Sequence, residues 1–328
     1  MLQDNHKVYE KVLNYFTNPK VGKSPQDRNV PDLLKLGIIN IDKPANPTSH
    51  EVTAWVKRIL GINKAGHGGT LDPAVTGSLP IALGNATRAL QVLLLAGKEY
   101  ICIMKSHGPV FNEKLLSVLE NFRGKIYQTP PLRSNVKRRL RVRKIYDLRL
   151  LEHYNTQFSL LHIECEAGTY VRKLIHDIGL LLGTGAHMLE LRRIRTGPFS
   201  ESSCVTLQDL SDAWYYYKIE GDETFIRKII QPVEIICQNL PKLFIRDSAV
   251  DAICHGAALT IPGVVQVSEG IEKDSLAAIF TMKGELVAFA QGALSTKEIL
   301  NQSNGICAFT NTVFMEKKTY PSMWKQST

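Results

Sequence analysis

Gly66-His67-Gly68-Gly69-Thr70-Leu71-Asp72-Pro73-Ala74-Val75-Thr76-Gly77 sets one carboxylate, Asp72, in a glycine-rich loop with His67 just ahead of it. Without any functional assumption, Asp-Pro reads as a helix start. Asp is a favoured N-cap and Pro is favoured at the first helical position. On that reading Asp72 only caps a short helix that ends at Gly77. A second reading coexists with it. A helix N-terminus keeps a carboxylate ionised, and an ionised carboxylate is what attack on an electrophilic carbon requires. Gly66, Gly68 and Gly69 leave room for a backbone or a ligand to come close. The loop holds no second acid, whereas a glycosidase normally sets two carboxylates in one site. That points away from glycoside hydrolysis and toward chemistry in which no water is activated.

The segments around the loop place it. Gly37-Ile38-Ile39-Asn40-Ile41-Asp42 alternates like a strand and stops at Lys43-Pro44. In Ser49-His50-Glu51-Val52 the serine reads as the N-cap of a helix that carries Val52, Val56 and Ile59 on one face. A further helix is expected from Asn85 to Ala96, and a strand over Glu99 to Met104. Strands near 145–150 and 158–166 precede a helix from about Tyr170 to Leu182, which Gly183-Thr184-Gly185 breaks. Strands and helices mix here without strict βαβ alternation, so the expected class is α+β with a mixed sheet.

Two segments look like partners for Asp72. In Lys98-Glu99-Tyr100 the tyrosine is either a core aromatic or a platform that stacks on an extruded base. In Gly168-Thr169-Tyr170-Val171-Arg172, Arg172 enters an otherwise apolar helix beside Leu174, Ile175 and Ile178. It is either a surface arginine or the partner of an acid. Asp72 is the candidate acid, and a two-point pair would fix its carboxylate.

The chain has 328 residues, a natural length for two domains, and 44% of them are hydrophobic. Its net charge of +9 suits a polyanionic partner, most simply nucleic acid, though a merely basic protein remains open. From Arg133 to Lys144, seven of twelve residues are basic and none is acidic. A solvated charged face would mix signs. This stretch, with Arg133, Lys137, Arg138, Arg139, Arg141 and Arg143, therefore reads as a phosphate-tracking patch. Leu191-Arg192-Arg193-Ile194-Arg195 is a second, shorter basic cluster.

No run reaches the roughly 18 apolar residues of a membrane span, and the first residues are polar. An intracellular protein is the expectation. The six cysteines include no C-x-x-C pair. Neither a disulfide framework nor a zinc site is supported, and buried thiols are expected.

Residues 1–36 read as a polar extension that wraps another part of the fold or stays mobile. Residues 37–237 read as one domain, and the character changes near Cys237 to Pro241. Residues 242–316 then form a small β-rich module, followed by a tail over 317–328. In the module, Asp247-Ser248 caps a short helix to Cys254 that Gly256 closes, and Lys283-Gly284 marks a hairpin.

Taken together, five segments resemble the motifs of the TruB-type pseudouridine synthases, in the expected order. They are Ile41 to Pro44, the Asp72 loop, Lys98-Glu99-Tyr100, Gly168 to Arg172, and Leu191-Arg192-Arg193. The chain is most similar to the dyskerin branch, the catalytic proteins of H/ACA ribonucleoproteins. Three segments carry that likeness: Ser49 to Val52, Gly185-Ala186-His187-Met188, and Lys242 to Val250. The resemblance spans roughly residues 30–322. Gly68 stands where relatives often have Ser or Thr, and little effect is expected. The lysine-rich tail of many dyskerins is absent.

The resemblance implies a mixed-sheet synthase domain followed by a β-barrel-like PUA domain, an RNA-binding fold. It implies that N1–C1′ of uridine is broken and C5–C1′ formed, with no cofactor and no metal. Asp72 would be the essential carboxylate. Tyr100 would stack on the flipped uracil, Arg172 would pair with Asp72, and His67 would help hold the flipped nucleotide open. Tyr170 would join the substrate pocket, Leu191 would pack on the base, and Lys43 and Pro44 would buttress the site. His255, Gly256, Ala257 and Gly263 would touch RNA, unless the glycines only serve turns. The implied partners are an H/ACA guide RNA, the substrate RNA and the small H/ACA core proteins, with no membrane. The implied place is the nucleus and nucleolus of a eukaryotic cell, or otherwise the cytoplasm. A stand-alone tRNA uridine synthase and a non-catalytic RNA scaffold are the competing readings.

Overall fold

The computed structural model describes residues 6–130 and 139–322. The chain divides into two compact units. One comprises residues 39–81 and 90–225, the other 1–38, 82–89 and 226–328.

The first unit is built on a mixed sheet. Its strands are β1 (Gly37–Lys43), β2 (Ala65–His67), β3 (Thr76–Leu83), β4 (Lys98–Ser106), β5 (Gly124–Gln128), β6 (Arg141–Tyr154), β7 (Phe158–Cys165) and β8 (Ala186–Thr196). Across the sheet they run β1-β3-β8-β4-β7-β6-β5, with β2 paired to β3. Strand β8 runs parallel to β3 and antiparallel to β4, so it joins the end of the Asp72 loop to the strand that carries Tyr100.

Strand β4 shows why the sheet forms. Lys98, Tyr100, Cys102, Met104 and Ser106 alternate with half-exposed residues, so one face is buried throughout. That face shares a core with Ile145, Leu148, Leu161 and Ile163. Onto the same core falls the apolar stripe of a helix, Val171, Leu174, Ile175 and Ile178.

The helices of this unit are α1 (Ser49–Leu60), α2 (Leu90–Leu95), α3 (Asn112–Glu120), α4 (Val171–Leu182) and α5 (Leu207–Glu220). Three expectations are corrected here. The N-cap of α1 is Thr48, not Ser49; its hydroxyl takes the Glu51 N–H and Glu51 reaches back to the Thr48 N–H, a closed capping box. The helix expected over 85–96 is a 3-10 stretch, Gly84–Ala89, followed by α2. Asp72-Pro73 starts no helix. Val75 N–H bonds Asp72 O at 3.0 Å, closing a turn that runs straight into β3.

Among the described residues, the second unit holds a seven-stranded sheet. It contains β9 (Lys242–Ile245), β10 (Val264–Ser268), β11 (Leu276–Thr281), β12 (Leu286–Gly292) and β13 (Ile306–Val313). Its helices include α6 (Asp247–Cys254) and α7 (Thr296–Asn301). Gly284, at φ 81°, turns the β11–β12 hairpin, and its N–H bonds Thr281 O at 3.0 Å.

The polar N-terminal extension belongs to this sheet. Val8–Glu10 forms its edge strand, antiparallel to β10, with Val8 opposite Ser268 and Glu10 opposite Gln266. Arg28 then makes a buried two-point pair with Glu234, at 2.8 and 2.6 Å. Glu234 Oε1 also accepts the Leu286 N–H at 2.9 Å, so the buried carboxylate is hydrogen-bonded as well as paired. All six cysteines are free, and burial pushes the Cys102 and Cys165 thiols up to about 12.

Candidate active site

The Asp72 loop is pinned on both sides of its carboxylate. Just before it, buried Ser49 Oγ accepts the Leu71 N–H at 2.9 Å and donates to Leu71 O at 3.2 Å. Just after it, Lys43 spends all three ammonium protons on carbonyls. It donates to Pro44 O at 2.8 Å, Pro73 O at 2.9 Å and Val75 O at 2.8 Å. Asn46 N–H adds a bond to Pro73 O at 2.9 Å. Burial pulls the Lys43 ammonium below its usual range, nearby Asp72 pulls it back up, and Arg193 adds a further lowering. The main chain is thus fixed at Leu71, Pro73 and Val75, while the Asp72 side chain stays exposed.

Arg172, in the first turn of α4, donates from Nη2 to Asp72 Oδ2 at 2.6 Å. Sequence reasoning expected a two-point pair on a partly apolar face. The structure shows one hydrogen bond, with side-chain exposures of 63% for Arg172 and 56% for Asp72. The counter-ion to Asp72 is therefore this guanidinium, and the helix dipole plays no part, since no helix begins at Asp72.

Tyr100 is almost fully buried, opposite Arg193 in the β4–β8 register. Burial pushes its phenol above the ordinary value, while the nearby Arg193 guanidinium pulls the other way. Leu191, two residues before Arg193, sits opposite Cys102 and packs half-buried on the core.

Arg193 is the residue that sequence reasoning misplaced. Grouped with a basic surface cluster, it is only 1% exposed. It donates from Nε to Ser78 O at 2.8 Å and from Nη2 to Gly69 O at 3.1 Å. It thereby ties the glycine loop to strands β8 and β3. Lys98 performs a similar task from β4, donating to Leu93 O at 3.0 Å, Leu94 O at 3.1 Å and Ala96 O at 2.8 Å. Those carbonyls lie at and just past the end of α2, and Leu93 O also accepts the Ala96 N–H at 3.2 Å. Burial brings the Lys98 ammonium down to about 8.

Two glycines fit this packing closely. At Gly77, φ is 100° and a Cβ would lie 2.2 Å from Arg193 O. At Gly68, a Cβ would lie 2.9 Å from Leu93 Cδ1 and 3.1 Å from its Cβ, so a side chain there requires Leu93 to shift. His67 stands edge-on to His50 with ring centroids 4.9 Å apart. Burial holds its imidazole neutral down to about 4, and its Nδ1 is buried without a hydrogen-bond partner.

Comparison with known proteins follows these motifs. Residues 57–109 match the TruB family pseudouridylate synthase (N terminal domain), and residues 172–238 match the tRNA pseudouridylate synthase B C-terminal domain. Residues 1–53 match the DKCLD (NUC011) domain and 241–311 the PUA domain. A probable tRNA pseudouridine synthase B of Thermococcus kodakarensis is 54% identical over 311 residues, covering 94% of this chain and 92% of the relative. Its counterpart in Methanosarcina barkeri is 52% identical over 309 residues, covering 94% and 91%. The chain belongs to the TruB family of pseudouridine synthases.

Solved structures agree along the whole synthase. The Cbf5 chain of an archaeal box H/ACA sRNP Nop10-Cbf5 complex is 48% identical, with a TM-score of 0.91, covering 98% of this chain and 100% of that one. A chain of an H/ACA RNP bound to a substrate RNA containing 2'-deoxyuridine is 47% identical, with a TM-score of 0.92 and 98% coverage of each. A chain of a Cbf5-Nop10-Gar1 complex is 49% identical at a TM-score of 0.92, with 97% coverage of each.

The remaining expected contacts of the synthase divide. Arg133, Lys137 and Arg138 lie outside the described residues. Arg139 is exposed, whereas Arg141 and Arg143 are half-buried in β6. Arg143 folds back over Gly168, where a Cβ would lie 3.2 Å from its Nε, and it stands 3.6 Å from Glu166. The second basic cluster is no open patch. Arg192 makes a two-point pair with Asp42 at 2.9 Å and also bonds Glu201, and Arg195 bonds Glu99. Pro44 is exposed and serves through its carbonyl.

In the second unit, Ala257 and Gly263 line an open pocket of about 420 Å³ with Ser248, Ala249, Ala252 and Pro262. His255 and Gly256 do not line it. His255 Nδ1 lies 2.8 Å from Asp251 O at the end of α6, and Gly256 closes that helix at φ 87°.

Proposed function

We propose that this synthase is the catalytic subunit of a guide-RNA-directed H/ACA ribonucleoprotein. It isomerises uridine to pseudouridine in rRNA, with snRNA as a second substrate class. The observation that carries this reading is the match along 98% of the chain to Cbf5 in an archaeal box H/ACA sRNP, at 48% identity. Its partners are then a guide RNA, the substrate RNA and small core proteins of the kinds named Nop10 and Gar1. Its place is the nucleolus of a eukaryotic cell, or the cytoplasm of a cell without a nucleus.

In this reading Asp72 is the carboxylate that acts at the ribose, by attack on C1′ or as a base on the sugar. Arg172 holds it aimed through one hydrogen bond. Tyr100 stacks on the extruded uracil, and Leu191 packs on the base. Tyr170 closes the pocket, while His67, neutral at physiological pH, fills the space the base has left. Lys43 and Pro44 hold the loop. Isomerisation needs one acid, since no water is consumed, and one acid is what the loop presents.

The names of the curated relatives favour a second reading, a stand-alone tRNA uridine synthase. Purified chain is incubated with tRNA alone, and separately with guide RNA, core proteins and a guide-matched substrate. Modification that follows a changed guide sequence supports the first reading. Guide-independent modification of tRNA alone overturns it in favour of the second. A non-catalytic scaffold requires Asp72→Asn to leave pseudouridine formation unchanged.

A further inference from the structure

We infer that Gln128 is a positioning residue for the Asp72–Arg172 pair, acting through the main chain of Tyr170. The inference rests on the catalytic reading of that pair.

Helix α4 begins without a side-chain cap of its own. This is unlike α1 and α5, where Thr48 with Glu51 and Thr206 with Asp209 close capping boxes. Thr169 is the nearby hydroxyl that the sequence offers, but its Oγ1 donates to Glu166 O at 2.7 Å. A first turn left open frays most easily, because its N–H groups have no partner within the helix. Arg172 is the second residue of that turn. Its guanidinium is largely exposed and holds Asp72 by one bond. The aim of the pair therefore depends on where the first turn sits.

Gln128 leaves those N–H groups uncapped and instead holds Tyr170, the residue from which the turn starts. It ends β5, in register with Arg141, and is 2% exposed. Its Oε1 accepts the Tyr170 N–H at 3.0 Å and its Nε2 donates to Tyr170 O at 3.2 Å. The main-chain N–H can only donate and the carbonyl can only accept, so the orientation of the amide is dictated. Tyr170 O is also the acceptor of the first turn's own bond, from Leu174 N at 3.0 Å. Two contacts on one residue fix its rotation as well as its position. The side chain that sets the start of α4 therefore comes from another strand, 42 residues away in sequence.

The test uses the full chain assembled with guide RNA and core proteins. Gln128→Leu keeps the shape and removes both bonds. The single-turnover isomerisation rate is expected to fall by about tenfold to a hundredfold, the cost of misaiming a reacting group. The Kd for substrate RNA is expected to stay within about twofold. In an Arg172→Met background the same change should cost distinctly less, because the bond that the turn aims is already gone. Gln128→Glu gives a second readout that does not depend on tolerating Leu. The protonated acid can accept and donate as the amide does, whereas the carboxylate cannot donate. Its rate relative to wild type should be near one at low pH and fall as pH rises.

A wild-type rate for Gln128→Leu, a rate and affinity that fall together, or a pH-independent ratio for Gln128→Glu would each overturn the inference. Asp72→Asn runs beside these variants. If it is inactive while Gln128→Leu is fully active, only the role of Gln128 fails. If Asp72→Asn itself turns over normally, the catalytic reading fails and the inference goes with it.

Discussion

Arg172 and Asp72 lie 100 residues apart in sequence and meet through a single 2.6 Å hydrogen bond between two side chains that are mostly in water. The carboxylate is held by a fixed main chain on one side and by one guanidinium nitrogen on the other. Such a pair aims a group and contributes little to holding the fold together, since exposed ion pairs are worth about 0–1 kcal/mol.

Activity and stability should therefore separate at this pair. Asp72→Asn is expected to abolish isomerisation and leave Tm nearly unchanged. Arg172→Lys keeps the charge and can reach one oxygen, so a loss of about tenfold is expected, with Arg172→Met losing clearly more. Single-turnover rates read beside thermal melts check this. A large Tm drop for Asp72→Asn would assign the residue a structural role instead.

Gly77→Ala should be costly. It combines φ of 100° with a Cβ placed 2.2 Å from Arg193 O, at the parallel join of β3 and β8. A loss of more than about 2 kcal/mol is expected. Gly256→Ala makes the contrast. Its φ is 87° but its Cβ meets nothing within 4 Å, so only the backbone cost of about 1–2 kcal/mol applies. Urea unfolding of the two variants would reveal the difference.

Gly68→Ser should destabilise by about 1 kcal/mol or more, through the Leu93 side chain 2.9 Å away. The cost should shrink when Leu93 is also cut to Ala, because the two changes share one space. Additive losses in a double-mutant cycle would rule out the Leu93 explanation.

His67 makes the fold sensitive to acid. Its folded pKa is lowered to about 4 from 6.5, by burial first. Between those values the unfolded chain binds the proton and the native chain does not, so stability rises with pH across that window. On acidification it is lost from 6.5 downward. His67→Gln should flatten this part of the Tm-against-pH curve, and an unchanged slope would place the sensitivity elsewhere.

Much of the site could be read from the chain because its parts are local motifs. Strand β4 alternates cleanly, and the apolar positions of α4 recur at helical spacing. What pattern reading lost was direction. Arg193 looks like a surface charge, yet it is buried and donates to carbonyls of Ser78 and Gly69, more than a hundred residues away. Arg192 and Arg195 look like a phosphate patch, yet their acids come from Asp42, Glu201 and Glu99. Asp72-Pro73 has the statistics of a helix start. The strand that follows is buried along nearly its whole length, so it shows no alternation to contradict that reading. Gln128 carries no signal in its own segment, because its role exists only across the gap to Tyr170.

The edge strand Val8–Glu10 has a consequence for how the chain is made. Its partner β10 ends at Ser268, so this strand leaves the ribosome well before the strand it pairs with. At roughly 5–20 residues per second the delay is on the order of tens of seconds. Throughout it the catalytic segments can already be collapsing while the leading strand has nothing to pair with. The second unit is thus completed by a segment that was translated before any of its other strands, and a stalled or shortened chain would emerge with that strand unpaired.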